Sequence, residues 1–87
     1  MANKRHLKQT INLISEELFA ECVAASLYGQ NRESAEALIY STIKMHNNYI
    51  RRISHPEPGM SAKDYYKDLK EKFAAQASEI YDQIQNF

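Results

Sequence analysis

Residues 31–54 read NRESAEALIYSTIKMHNNYIRRIS, and this stretch decides the fold. At about 100° per residue, Ala35, Ile39, Thr42, Ile43, His46, Ile50 and Ile53 fall within an arc of roughly 100°. Leu38, Met45 and Tyr49 widen one flank of that arc, and Ser41, Lys44, Asn48, Arg51 and Arg52 lie opposite. An apolar face backed by a solvated one predicts a helix packed on a core. Both ends are marked. Asn31 is an N-cap residue, and Glu33 stands in the first turn, where the helix dipole favours negative charge. Pro56 disfavours helical geometry at His55, so the helix should stop near Ser54. A central helix of this kind can touch one neighbour on each side.

Those neighbours are legible on both sides. Upstream, Leu7, Ile11, Ile14, Leu18, Cys22 and Ala25 alternate at spacings of four and three, which predicts a helix over about 4–28. Gly29 follows it, where left-handed backbone would cost nothing, and Gly29-Gln30-Asn31 makes a short turn. Downstream, Pro56, Pro58 and Gly59 cannot continue a helix. Ser61 followed by Asp64 is close to a capping box, with Met60 placed as a staple before it. A third helix is predicted over about 61–86, its core face formed by Ala62, Tyr66, Leu69, Phe73, Ala77, Ile80 and Ile84. Short connections favour antiparallel neighbours, so the expected fold is a single all-α domain, a three-helix up-down-up antiparallel bundle. A helical hairpin that completes its core by dimerising is the close alternative.

Composition bounds the rest. A chain of 87 residues buries only about 60–65% of its unfolded surface, so its stability margin is thin unless packing or association helps. Cys22 is the single cysteine, which excludes an internal disulfide framework and points to a reducing compartment. No apolar run approaches the ~18–20 residues that span a bilayer, and Asn12, Ser15, Glu16 and Glu17 interrupt any signal-peptide pattern. A cytoplasmic location with no membrane association is expected.

The first helix carries more apolar surface than one face uses. Leu13, Ala20, Val23, Ala24 and Leu27 cluster opposite Leu18, with Phe19 toward one edge, and Leu13, Ala20 and Leu27 are seven apart, the spacing of a coiled-coil seam. This second stripe either faces the third helix, stays scattered on the surface as single apolar residues do, or forms an association surface. The last is the leading reading: a homodimer through the first helix, or the docking of a helical protein partner.

The formal net charge is zero, but its layout is polar. Folded antiparallel, one end collects Lys4, Arg5, Lys8, Arg51, Arg52, Lys63 and Lys67 against Glu57, Asp64 and Asp68. The other end is acidic, so the two ends carry about +4 and −4. A basic pole could bind the phosphates of nucleic acid, the alternative function, although no recognition-helix motif or Gly-rich phosphate loop accompanies it.

Catalytic and metal signatures are sparse. The residues three before His6, His46 and His55 are Asn3, Ile43 and Arg52, so the Glu-x-x-His pairs of two-metal bundles are missing, as is a Cys pair for zinc. No metal and no cofactor are expected. Cys22 and His46 could form a nucleophile pair, but a structural, buried, neutral His46 and a small hydrophobic Cys22 are the plainer reading. Glu17-Leu18-Phe19-Ala20-Glu21-Cys22 and Ser54-His55-Pro56-Glu57-Pro58-Gly59-Met60 resemble segments of small all-α proteins of Bacteroidota that have no assigned function. That resemblance implies an all-α fold and a bacterial cytosolic origin, and it carries no site residue with it. The function expected from the residues is a small non-enzymatic interaction module.

Overall fold

The computed structural model describes residues 4–29 and 31–86, which hold three helices, α1 (Lys4–Tyr28), α2 (Arg32–Ser54) and α3 (Ala62–Gln85). The order is up-down-up. Asn12 meets His46 while Cys22 meets Thr42, so α2 descends as α1 climbs. Tyr66 meets Ile53 while Phe73 meets Tyr49, so α3 climbs again. The bundle is a rod of 47 × 19 × 17 Å. Of the expected turn at 29–31, Gln30 lies outside the described residues.

The helix starts follow local chemistry. Ser34 N donates to Asn31 Oδ1 at 3.2 Å, and Asp64 N donates to Ser61 Oγ at 3.2 Å. Each bond satisfies one of the first amides that a helix leaves unpaired. The ends are less obvious. Tyr65 Oη donates to Arg52 O at 2.9 Å, with His55 O also in reach at 3.2 Å, and Tyr66 Oη donates to Ile53 O at 3.3 Å. Two tyrosines at the start of α3 thus satisfy the last carbonyls of α2 and tie the two helices across the Pro-Gly loop. Their hydroxyls do not simply project into water, as the margin position of most tyrosines would suggest.

The core lies where the three helices meet. Its fully buried members include Ile11 and Cys22 of α1, Thr42, Tyr49 and Ile53 of α2, and Phe73 of α3. Tyr49 and Phe73 pack edge to face, with ring centroids 5.4 Å apart at 77°. Leu7, Leu18, Leu38, Met45, Leu69, Ala77 and Ile80 complete the cluster.

The sequence reading of α2 needs a correction. Leu38, Met45 and Tyr49, placed on the flank, are buried, whereas Ile39, His46 and Ile50 are half-buried and Ile43 is exposed. Ala35, Thr42 and Ile53 of the expected arc are buried too, so the buried face takes in one edge of the arc and its flank and leaves Ile43, at the far edge, outside. The reason is that α2 packs on α1 and α3 at once. The direction between two neighbours is the buried one, and an apolar count along α2 alone does not contain it. Ala62 and Met60 are also exposed, so the core face of α3 starts at Tyr65 and Tyr66, which pack against the buried cluster.

Gly29 is required for a different reason than expected. Among the described residues only Gly59 has positive φ, at 87°. Gly29 N donates to Ala25 O at 2.8 Å, and a Cβ built on Gly29 would stand 2.5 Å from that same oxygen. Gly29→Ala must break this closing turn of α1. It is expected to cost about 1–2 kcal/mol, read as a lower urea midpoint at unchanged slope.

Candidate functional site

The second stripe of α1 stays outside the core. Leu13 is 63% exposed, Leu27 66% and Phe19 41%. Ala20 and Ala24 are exposed too, and Val23 is half-buried. None of the six is buried against α3, although Ala20 lines a groove with Ala77, Ser78 and Tyr81 of that helix. Exposed large apolar side chains in a row along one helix are unlike the singly scattered ones of ordinary surfaces.

A groove of about 390 Å³ runs beside this stripe, between α1 and α2, on the side away from α3. Phe19 and Ile43, the latter 43% exposed, supply its apolar walls. Asn12, Ser15, Glu16, Thr42 and His46 supply polar ones. The placement of the buried face of α2 creates this groove: it leaves Ile43 outside the core, facing outward beside Phe19.

The polar groups of the groove are mostly occupied. His46 Nε2 lies 2.6 Å from Asn12 Oδ1, a bond that bridges the two helices. Its Nδ1 lies 3.2 Å from the side-chain amide of Asn47. A ring with one N–H satisfies both only if one amide presents its NH2 group, and Asn47, being exposed, can turn to do so. Thr42 Oγ1 donates to Leu38 O at 2.8 Å. Ser15 Oγ is buried on the groove wall without a partner among the described residues, an arrangement that costs about 1–3 kcal/mol. Tyr49 Oη is a second such group, deep in the core.

The two residues considered for a nucleophile pair are held apart in separate bonds. Cys22 Sγ contacts Thr42 Oγ1 at 3.9 Å, while His46 points at Asn12. Burial pushes the Cys22 thiol above its ordinary pKa. The Thr42 hydrogen bond opposes this, and the Glu21 charge adds to it. An activated thiol is shifted the other way. His46 is half-buried at the groove, not enclosed in the core as expected. Among the described residues no group of three or more His, Cys, Asp or Glu side chains could hold a metal ion, and no helix is long and apolar enough to cross a membrane.

The charge layout follows the antiparallel packing. Lys4, Arg5, Lys8, Arg51, Arg52, Lys63 and Lys67 are all exposed, and all lie toward the end of the rod where α1 and α3 begin and α2 ends. The Arg52 guanidinium lies 5.3 Å from the centre of the Tyr49 ring. Glu33, Glu36, Glu79 and Asp82 are exposed toward the opposite end, where Arg32 Nε pairs with Glu36 Oε1 at 3.0 Å. Sequence reasoning found the stripe and both poles from helical spacing. It missed the groove, because no pattern within one helix encodes the concavity between two. Comparison with protein-family models, curated proteins and solved structures finds no match to this chain.

Proposed function

We propose that this protein is a small interaction module without a catalytic role, working through the outer face of α1 and self-associating there as a homodimer. The observation that carries this reading is the exposure of Leu13 and Leu27 in line along α1, with Phe19 exposed at the edge of the same side. A chain of 87 residues has little apolar material to spare for its surface, and covering this row would add the burial that so small a core lacks. The cytoplasm is the proposed compartment, in keeping with a single cysteine that is free and buried.

Absolute mass by light scattering on a sizing column, across a concentration series, is the test. A mass near twice 10.1 kDa is expected, falling toward 10.1 kDa on dilution. A constant 10.1 kDa at all concentrations would remove self-association and leave α1 as bait for a different helical protein.

Nucleic-acid binding through the basic end is the second reading, favoured by the exposure of all seven cations there. Glu57, Asp64 and Asp68 lie at the same end and reduce its field. Binding of a generic duplex that falls steeply with salt would support this reading, and no binding at low salt would end it.

A further inference from the structure

We infer that the groove between α2 and α3 is a binding site for a small phosphorylated ligand, held by Lys44 and Arg51 over the side-chain amides of Asn48 and Gln76. The groove takes no residue from α1, so the site stands whether or not the chain self-associates.

The charge along α2 is unlike that of the chain as a whole. The full sequence balances 11 acidic residues against 11 basic ones. Residues 37–56 contain Lys44, Arg51 and Arg52, and neither Asp nor Glu. The basic end of the rod differs, because Glu57, Asp64 and Asp68 stand among its cations. An anion approaching the outer side of α2 meets positive charge that no carboxylate of that helix within two turns cancels.

Helical spacing aims these groups at one place. Lys44, Asn48 and Arg51 stand at i, i+4 and i+7, so they share one stripe, with Lys44 and Arg51 about 10 Å apart along it. Both cations are exposed on long side chains that converge over Asn48 between them. The stripe borders a groove of about 560 Å³, whose other wall is Gln76 of α3. Buried Met45 contributes an apolar patch to the lining.

The donors of this groove are free. Asn48 is half-buried and Gln76 exposed, and neither side chain has a hydrogen-bond partner among the described residues. The Arg51 guanidinium makes no ion pair among them. The Lys44 ammonium rests 5.3 Å from the centre of the exposed Tyr40 ring, a contact that keeps it beside the groove. The charged groups nearest Gln76 on α3 are Lys72, paired with Asp68 at 3.0 Å, and Glu79 one turn on. Glu79 is thus the one uncompensated carboxylate set against Lys44, Arg51 and Arg52, and the balance stays positive.

Convergent cationic and amide donors match a phosphate group. Its several oxygens accept from both amides and both cations, and arginine meets two of them with parallel bonds. The volume falls within the ~300–1,000 Å³ of small-molecule sites, so the organic part of a phosphate ester has room beside Met45. A phosphodiester strand would need the cationic track to continue. The next positions along the stripe are Ala37 and His55, so it ends within the length of one compact ligand.

The test titrates isotope-labelled protein with adenosine monophosphate and with pyrophosphate, following the side-chain amide signals of Asn48 and Gln76 by NMR. Saturable shifts of both amides are expected, with none from adenosine, which lacks the phosphate. Lys44→Gln and Arg51→Gln should each weaken binding about tenfold, since each removes a charged hydrogen bond. Both residues are exposed, so unchanged melts will separate lost binding from lost fold. The control pair Lys63→Gln and Lys67→Gln makes the same charge change at the basic end as the two groove variants combined, and should leave the affinity within about twofold. Equal weakening by that control pair would reduce the site to diffuse attraction and overturn the proposal. Sulfate binding as tightly as adenosine monophosphate would mean an adventitious ion only. A single-stranded oligonucleotide that binds through Lys44 and Arg51 where both small probes fail would assign the groove to nucleic acid, against the proposal. Absence of any shift with either probe at millimolar concentration would end it.

Discussion

Phe73→Ala is expected to remove about 3–5 kcal/mol, roughly a quarter or more of the protein's stability at 25 °C. At 0.05–0.15 kcal/mol per residue, a domain of this length has a total stability of about 4–13 kcal/mol. Truncating a fully buried phenylalanine costs about 3–5 kcal/mol, through lost transfer energy and the cavity left behind. Phe73 is 2% exposed and packs edge to face against Tyr49. Its removal also empties the place where α2 and α3 meet. Urea unfolding followed by helical circular dichroism gives the number directly. Phe19→Ala, the same chemical change on the groove wall, should cost the isolated chain about 1 kcal/mol or less. Equal losses at the two positions would contradict the placement of the core.

Leu27→Asp should dissociate the self-associated protein to a single 10.1 kDa chain while leaving its fold intact. Leu27 is largely exposed within one chain, so an aspartate there meets water and disturbs no packing. In the proposed homodimer through α1, Leu27 of each copy is covered by the other. Fully burying a leucine contributes about 1.5–3 kcal/mol, and symmetry counts the change twice, so the dimer weakens by about 3–6 kcal/mol. That is a factor of roughly 10² to 10⁴ in the dissociation constant. The check is mass by light scattering, together with a thermal melt at a concentration where the wild type is monomeric. A mass unchanged from the wild-type dimer would remove Leu27 from the interface. A collapsed melt would mean that the residue supports the fold instead.

How much of this was legible in the residues can be judged position by position. The caps at Asn31 and Ser61 were readable because a cap is a local hydrogen bond, made by a side chain to an amide three residues on. The breaks at Gly29 and at the Pro-Gly loop were readable for the same reason. Gly29 was nevertheless assigned the wrong cause, since its need is clearance from Ala25 O and not a left-handed backbone. The tyrosine clasp was not legible. Tyr65 and Tyr66 reach residues 10–13 positions earlier, and their targets are main-chain carbonyls that have no sequence signature. The link between Asn12 and His46 spans 34 residues and was equally hidden.

By itself the sequence determined three amphipathic helices, their ends, their antiparallel order, the surplus stripe on α1 and the two poles of charge. All of these rest on interactions within a few residues, or on periodicity along one helix. Only the tertiary structure decided which part of each apolar arc is buried. A helix wedged between two others buries the direction that bisects them, and that direction depends on the crossing of all three axes. The same packing turned Leu38, Met45 and Tyr49 inward and Ile43 outward, opening the groove beside the α1 stripe.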